Sequence, residues 1–267
     1  TWGHVAAVAG SEGRSGAAIL TARGAIRMGA GLVTVLTDAE TAAVVDAASV
    51  ESMSFAIARN SGGLERIVES VKAKDAAVVG PGLPDDEESY ELVRELLQQI
   101  GIPLVVDASA LNAFAGAIGR IGREGSVRVL TPHPGELGRL LGTTAGEVVA
   151  DRVGAVRRAA GESGAVVVLK GHQTLIASPD GMVRVNPTGN PGLGSGGTGD
   201  VLAGMIAALL AQGHGAADAA TAAVWLHGYA ADLLASDASE IGLRAMELAD
   251  AIPRAVAALR RLAAPER

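Results

Sequence analysis

Cysteine is absent from all 267 residues, which removes disulfide frameworks, thiolate metal sites and cysteine nucleophiles together. Aromatic residues are nearly as scarce, with two each of Phe, Tyr and Trp, too few to build base-stacking platforms. Lys and Arg number 22 against 29 Asp and Glu, a net charge of −7, and no Lys/Arg-dense stretch offers a stripe for tracking phosphates. A nucleic-acid partner is therefore not expected. Long apolar runs are missing too. The longest apolar helical candidate, residues 201–211, falls far short of the ~20 residues that span a bilayer. No signal-peptide pattern opens the chain, so the expectation is a soluble cytoplasmic protein with no membrane partner.

Glycine is what the chain has in excess: 36 Gly, with 10 Pro, in a sequence that is 49% hydrophobic. Disorder is excluded because the apolar content is high and evenly spread. The glycines fall instead at the ends of apolar runs, where tight turns need them. Short β-branched runs recur at residues 5–8, 32–36, 76–79, 104–106, 128–130 and 166–169, each of strand length and closed by Gly, Pro or Asp. Helical spacing fills residues 17–28, 87–100 and 145–160 between them. Strands alternating with helices predict a three-layer α/β/α domain around a mostly parallel sheet. Runs such as VVVL, without in–out alternation, fit strands covered on both faces. Residues 174–177 and 182–185 read as a hairpin across Ser178-Pro179-Asp180-Gly181. From residue 201 onward the chain reads as helical at 201–211, 216–235 and 246–262. No repeat or linker divides it, and one domain over residues 1–267 is expected.

In open α/β sheets ligands bind outside the carboxyl ends of the strands. The most informative stretch there is Asn190-Pro191-Gly192-Leu193-Gly194-Ser195-Gly196-Gly197-Thr198-Gly199-Asp200, leading into a helix. Five glycines in eleven residues can expose successive N–H groups, and the helix N-terminus adds free donors and partial positive charge. That is an anion site suited to phosphate. It is neither a Walker A loop nor the dinucleotide fingerprint. Asp200 would repel phosphate, which points to a base that takes a proton from a hydroxyl attacking a phosphoryl group. An N-cap role for Asp200 fits the same stretch equally well. Thr131-Pro132-His133-Pro134-Gly135-Glu136 holds a histidine between two prolines, poised for a ligand or for structure, with Glu136 placed to favour a helix dipole. Lys170, followed by Gly171, can present its ammonium to a phosphate or simply snorkel to solvent. Gly80-Pro81-Gly82 and the strand-terminal Asp107 complete the edge. Near the start, Ser15-Gly16-Ala17-Ala18 permits close approach of a ligand.

These stretches, in this order, resemble the ADP/ATP-dependent NAD(P)H-hydrate dehydratase family, a branch of the ribokinase-like fold. The likeness runs through GAGLVTV, VVGPGL, VVDASALN, LTPHPGE, VVLKGHQT, NPTGNPGLGSGGTGDVLAGM and WLHGYAADLL, essentially the whole chain. The resemblance implies repair of the S-form of hydrated NADH or NADPH. The nucleotide phosphorylates the C6 hydroxyl and phosphate then leaves. Carried over by residue, Asp200 would be the base and Gly196, Gly197, Thr198 and Gly199 the anion cradle. Lys170, Gly171, His172, Gln173, Thr174 and Gly199 would contact ADP or ATP. Ala17 or Ala18, Gly82, His133 and Asp200 would contact the hydrated cofactor. A Mg²⁺ ion would sit on the phosphates and water, as that ion prefers, with Glu136 holding one of the waters. Likeness to bacterial members favours ADP, and a homotetramer is implied.

Two departures stand out. Ser109 replaces the second acid of the family's Asp-Ala-Asp, so no catalysis is assigned there. The chain also opens at Thr1-Trp2-Gly3, inside the family's Lys-Gly motif, which reads as a trimmed start. The competing reading is a kinase of the same fold acting on a small hydroxylated metabolite or vitamin precursor. It would use the same Asp200 and cradle but, as a rule, lacks the TPHPGE run. A non-catalytic nucleotide sensor is disfavoured, since a pure binder gains nothing from Asp200 beside phosphate.

Overall fold

The computed structural model describes residues 2–58, 61–122 and 125–263. In chain order the elements are β1 (His4–Val8), α1 (Ser15–Arg27), β2 (Leu32–Thr37), α2 (Ala39–Ala48), β3 (Met53–Ala56), α3 (Ser61–Lys72), β4 (Ala76–Val79) and α4 (Glu87–Gln99). There follow β5 (Leu104–Val106), α5 (Ser109–Asn112), β6 (Arg128–Leu130), α6 (Pro134–Leu141), α7 (Ala145–Ala150), α8 (Arg152–Ser163) and β7 (Val166–Leu169). The chain ends with β8 (Leu175–Ala177), β9 (Val183–Val185), α9 (Thr198–Ala211), α10 (Ala216–Asp237) and α11 (Ala245–Ala263).

All nine strands share one sheet, ordered β3-β2-β1-β4-β5-β6-β7-β8-β9. Pairing is parallel from β3 through β7 and antiparallel for β8 and β9. Alternate residues of the central strands feed two cores, as a period of two requires. Val5 and Ala7 of β1 with Ala76 and Val78 of β4 face α1, α9, α10 and α11. Ala6 and Val8 with Ala77 and Val79 face the layer built from α3, α4, α6 and α8. This is the expected three-layer, mostly parallel architecture. The chain winds outward from β1 to β2 and β3, then returns to β4 on the other side of β1. The order therefore reverses between β1 and β4, and a crevice opens outside their carboxyl ends.

The helix that will matter most, α9, is buried on all sides from residue 201 to 211, wedged between the sheet, α1 and α10. Its approach to α1 depends on glycine. A Cβ on Gly204 would lie 2.0 Å from the carbonyl oxygen of Thr21, and one on Gly24 would lie 2.3 Å from that of Val201. The two backbones touch with no room for a methyl group. Gly204→Ala is therefore expected to cost about 1–3 kcal/mol through overpacking, read as a lower denaturation midpoint at constant m-value. A loss below ~0.5 kcal/mol, within the scatter of ordinary surface changes, would show that the crossing yields.

Two details depart from the sequence expectation. The single helix expected over 145–160 is broken at Asp151, whose backbone (φ −137°, ψ 74°) leaves the helical region. Its carboxylate caps α8 by accepting from Gly154 N–H at 2.8 Å, while Thr144 and Glu147 form a capping box for α7. Strand β3 has no counterpart among the expected strands. Its Met-Ser-Phe-Ala sequence lacks a β-branched residue, and as an edge strand it is mostly exposed.

Candidate active site

The glycine-rich stretch ends in the N-terminus of α9, and the N-cap is Gly197 at φ +89°. That left-handed conformation favours glycine, while an added Cβ would only have to displace the terminal methyl of Leu20, 2.4 Å away. The first intrahelical bond is donated by Val201 N–H to Gly197 O at 3.2 Å. The amides of Thr198, Gly199 and Asp200 come before it and are open to an anion. The Thr198 hydroxyl turns away, donating to the carbonyls of Leu193 (2.7 Å) and Ser195 (3.0 Å). It braces the loop, so only the amide of Thr198 faces a ligand.

Asp200 lies in the first turn of α9, beyond the cap. The N-cap alternative for this residue is thereby excluded. Burial, the largest cause, and then the Asp107 charge push its pKa up to about 7; Lys170 pulls it down and Glu136 adds to the rise. A carboxyl poised near neutrality is what proton abstraction at physiological pH requires.

Asp107, 1% exposed at the end of β5, accepts from Lys170 Nζ at 2.9 Å, and Glu136 Oε2 stands 3.8 Å from the same nitrogen. Burial alone would lower the Lys170 pKa, but Asp107, Glu136 and Asp200 outweigh it and hold it above the ordinary value. Lys170 is therefore a charged, paired lysine, and the snorkelling alternative is excluded. Beside this cluster Ala108 adopts φ +50° and ψ −126°, a conformation costing roughly 1–3 kcal/mol, as backbone strain at ligand sites commonly does.

Two concavities meet at the start of α9. A cleft of about 400 Å³ is lined by Lys170, Gly171, His172, Gln173 and Thr174 on one wall and by Thr198, Gly199 and Leu202 on another. Its remaining wall includes Asn186, Thr188, Asn190, Val224 and His227. An open groove of about 470 Å³ lies on the other side, lined by Arg14, Ala17, Gly82, Ser109, Gly196, Gly197 and Asp200. Both volumes suit small-molecule sites. All six residues expected to contact the nucleotide wall the first. Ala17, Gly82 and Asp200 wall the second.

Ala18 and His133 are not brought there. Ala18 is 0% exposed in the core, so of the two alanines Ala17 is the one that lines the groove. His133 is the N-cap of α6: its Nδ1 accepts from Gly135 N–H (3.0 Å) and Glu136 N–H (3.3 Å). Glu136 Oε2 in turn accepts from His133 N–H at 2.7 Å, closing a capping box. Its Nε2 side remains half exposed. Sequence reasoning missed the Asp107–Lys170 pair, whose members are 63 residues apart. It also missed Arg14, whose guanidinium donates to Leu83 O at 2.9 Å at the groove mouth. The signal for Arg14 was a lone basic residue in a Gly/Ser loop before a helix.

The profile of the NAD(P)H-hydrate dehydratase family matches residues 5–254. A bifunctional NAD(P)H-hydrate repair enzyme from Moorella thermoacetica is 41% identical over 94% of this chain and 49% of its own length. An ADP-dependent (S)-NAD(P)H-hydrate dehydratase from Neisseria meningitidis is 40% identical over 94% of this chain and 84% of its own. Among solved structures, an ADP/ATP-dependent NAD(P)H-hydrate dehydratase from Bacillus subtilis, co-crystallized with ATP/Mg²⁺ and soaked with CoA, superposes with a TM-score of 0.86 at 33% identity, covering 97% of this chain and 92% of that one. The chain spans about half the length of the bifunctional relatives it matches.

Proposed function

The chain belongs to the NAD(P)H-hydrate dehydratase family, and we propose that it restores NADH or NADPH from the S-form hydrate at the expense of ADP or ATP. The observation that carries this reading is the meeting of two concavities at one helix N-terminus, with Asp200 at the junction. The nucleotide fills the cleft beside residues 170–174, its terminal phosphoryl group against the amides of Thr198, Gly199 and Asp200. The hydrated dinucleotide lies in the groove, where Ala17 and Gly82 let it approach and Arg14 meets its pyrophosphate. Asp200 accepts the proton of the ring C6 hydroxyl as that oxygen attacks the terminal phosphorus, whose bond to the bridging oxygen breaks to release AMP from ADP or ADP from ATP. The C–O bond of the phosphorylated carbon then breaks, inorganic phosphate leaves, and a ring proton is lost to restore the double bond.

Mg²⁺ is part of this proposal. The donor set fits: hard carboxylate oxygens of Asp107, Glu136 and Asp200 surround a single ammonium. No group of three or more His, Cys, Asp or Glu among the described residues forms an all-protein cage. That suits an ion which keeps its waters and leans on substrate phosphates, with Glu136 reached through water. When bound, it neutralises charge on the phosphoryl oxygens. A homotetramer in the cytoplasm completes the proposal; among the described residues no helix is long and apolar enough to cross a membrane.

The decisive assay measures phosphate release with ADP or ATP and hydrated NADH against a panel of small alcohols. Activity confined to the hydrate supports the proposal, and turnover of an alcohol instead replaces it with a small-molecule kinase. The same assay has a pH signature. Because the base must be ionised, kcat/KM should rise with pH through about 7, the pKa of Asp200, and level off above it. A profile flat between about pH 5.5 and 8.5 would remove Asp200 from proton transfer.

A further inference from the structure

His227 of α10 is 7% exposed and lines the nucleotide cleft beside Leu202 and Val224. Its Nε2 lies 2.9 Å from the carbonyl oxygen of Thr198. A carbonyl only accepts, so Nε2 carries the hydrogen. Burial holds the His227 pKa down at about 4, despite the bond to Thr198, and the Lys170 charge lowers it further. The ring is therefore neutral at working pH, and Nδ1 is a bare acceptor. Among the described residues nothing donates to it. The bond to Thr198 anchors the ring at Nε2 in the wall of the cleft. With Nδ1 free of any protein donor among the described residues, an occupant of the cleft that brings a donor is favoured over one that brings none. Phosphate oxygens bring no hydrogen. The nucleoside does, through its ribose hydroxyls and the exocyclic amino group of the base.

We infer that His227 is a specificity-determining residue of the nucleotide cleft, its Nδ1 accepting a hydrogen bond from a donor on the nucleoside, either a ribose hydroxyl or the 6-amino group. The inference rests on the nucleotide occupying this cleft, as proposed above, and names what reads its nucleoside.

The test is calorimetric binding to the intact chain of ADP, 2′-deoxy-ADP, 3′-deoxy-ADP and the diphosphate of purine riboside, which lacks the amino group. The parent should bind one analogue about five- to tenfold more weakly than ADP, the usual loss for one hydrogen bond; which one identifies the donor. His227→Gln keeps an amide donor for Thr198 but lacks the Nδ1 acceptor. It should bind ADP weaker by the same factor, with no further loss for that analogue. His227→Asn, whose amide oxygen falls near Nδ1, should retain the discrimination, and it serves if the Gln variant melts early. Binding of ADP by His227→Gln within about twofold of the parent, or discrimination that survives in that variant, overturns the inference. So does a parent that treats all four ligands alike. Failure of the parent to bind ADP at all would instead overturn the reading of the cleft itself.

Discussion

Asp200→Asn should slow hydrate turnover by about 10²–10⁴-fold, the usual loss of a general base, while ADP binds at least as tightly as before. The amide keeps the side chain's shape but cannot take the proton. It also removes a negative charge from beside the phosphates, so any change in ADP affinity should be a gain. The same substitution should stabilise the protein, and the sign follows from linkage. The folded-state pKa of Asp200 is raised from 3.8 to about 7, so the folded protein resists ionisation that the unfolded chain accepts. The resulting penalty is absent below about pH 4, grows as the pH rises, and is complete above about pH 7. At about 1.4 kcal/mol for each pH unit separating those two values, Asn should add on the order of 2–4 kcal/mol at pH 8 and almost nothing near pH 4. Thermal unfolding at the two pH values, beside a single-turnover assay, checks both halves. Turnover within a few-fold of the parent would reduce Asp200 to a bystander, whatever the melting curves showed.

The second large effect is expected at Lys170. Its ammonium is the only cation that the structure places among Asp107, Glu136 and Asp200, as far as the described residues go. Lys170→Met fills the same space but leaves Asp107 and Glu136, 1% and 7% exposed, without a counter-charge. Breaking a buried pair from one side costs about 3–5 kcal/mol, which for a chain of this size means roughly 10 °C or more in Tm. Lys170→Met with Asp107→Asn removes charge from both sides and should recover much of that loss. Lys170 also pulls the Asp200 pKa down. The single variant's pH–rate profile should therefore shift to higher pH, a change that general loosening of the fold would not produce. Unaltered stability in the single variant would mean that water reaches the cluster and already solvates it.

What the sequence made legible was the sheet's carboxyl edge. Strands β1, β4, β5, β6 and β7 each end within a residue of the expected position, because short β-branched runs closed by Gly, Pro or Asp have few other readings. The glycine loop running into α9 was legible for the same reason: glycine density before an apolar helix is a local signal. The charge pairing was not. Asp107 and Lys170 directly follow β5 and β7, two strands that β6 separates, and no local pattern encodes that their side chains reach each other across it. His133 shows a different limit. Its role as a cap was written in the spacing, with Pro134 at the first helical position and Glu136 two further on. The residue type concealed it, since His is not among the usual capping residues. The break at Asp151 was hidden because helical spacing continues across it, while the capping carboxylate acts through three dimensions.

The glycine crossing of α1 and α9 acts as a rivet. Ala17 stands on one helix and Asp200 on the other, and the two backbones are joined at van der Waals contact near Gly24 and Gly204. The groove's two lips thus belong to one body. The wall of the neighbouring cleft is built separately: residues 170–174 carry Gln173 at φ +51°, and Arg152 donates to the carbonyl of His172. A scaffold arranged this way separates two kinds of inheritance. The side chains that line the groove can be exchanged while Asp200 stays where it was, so descent can reshape one lip of the site without moving the other.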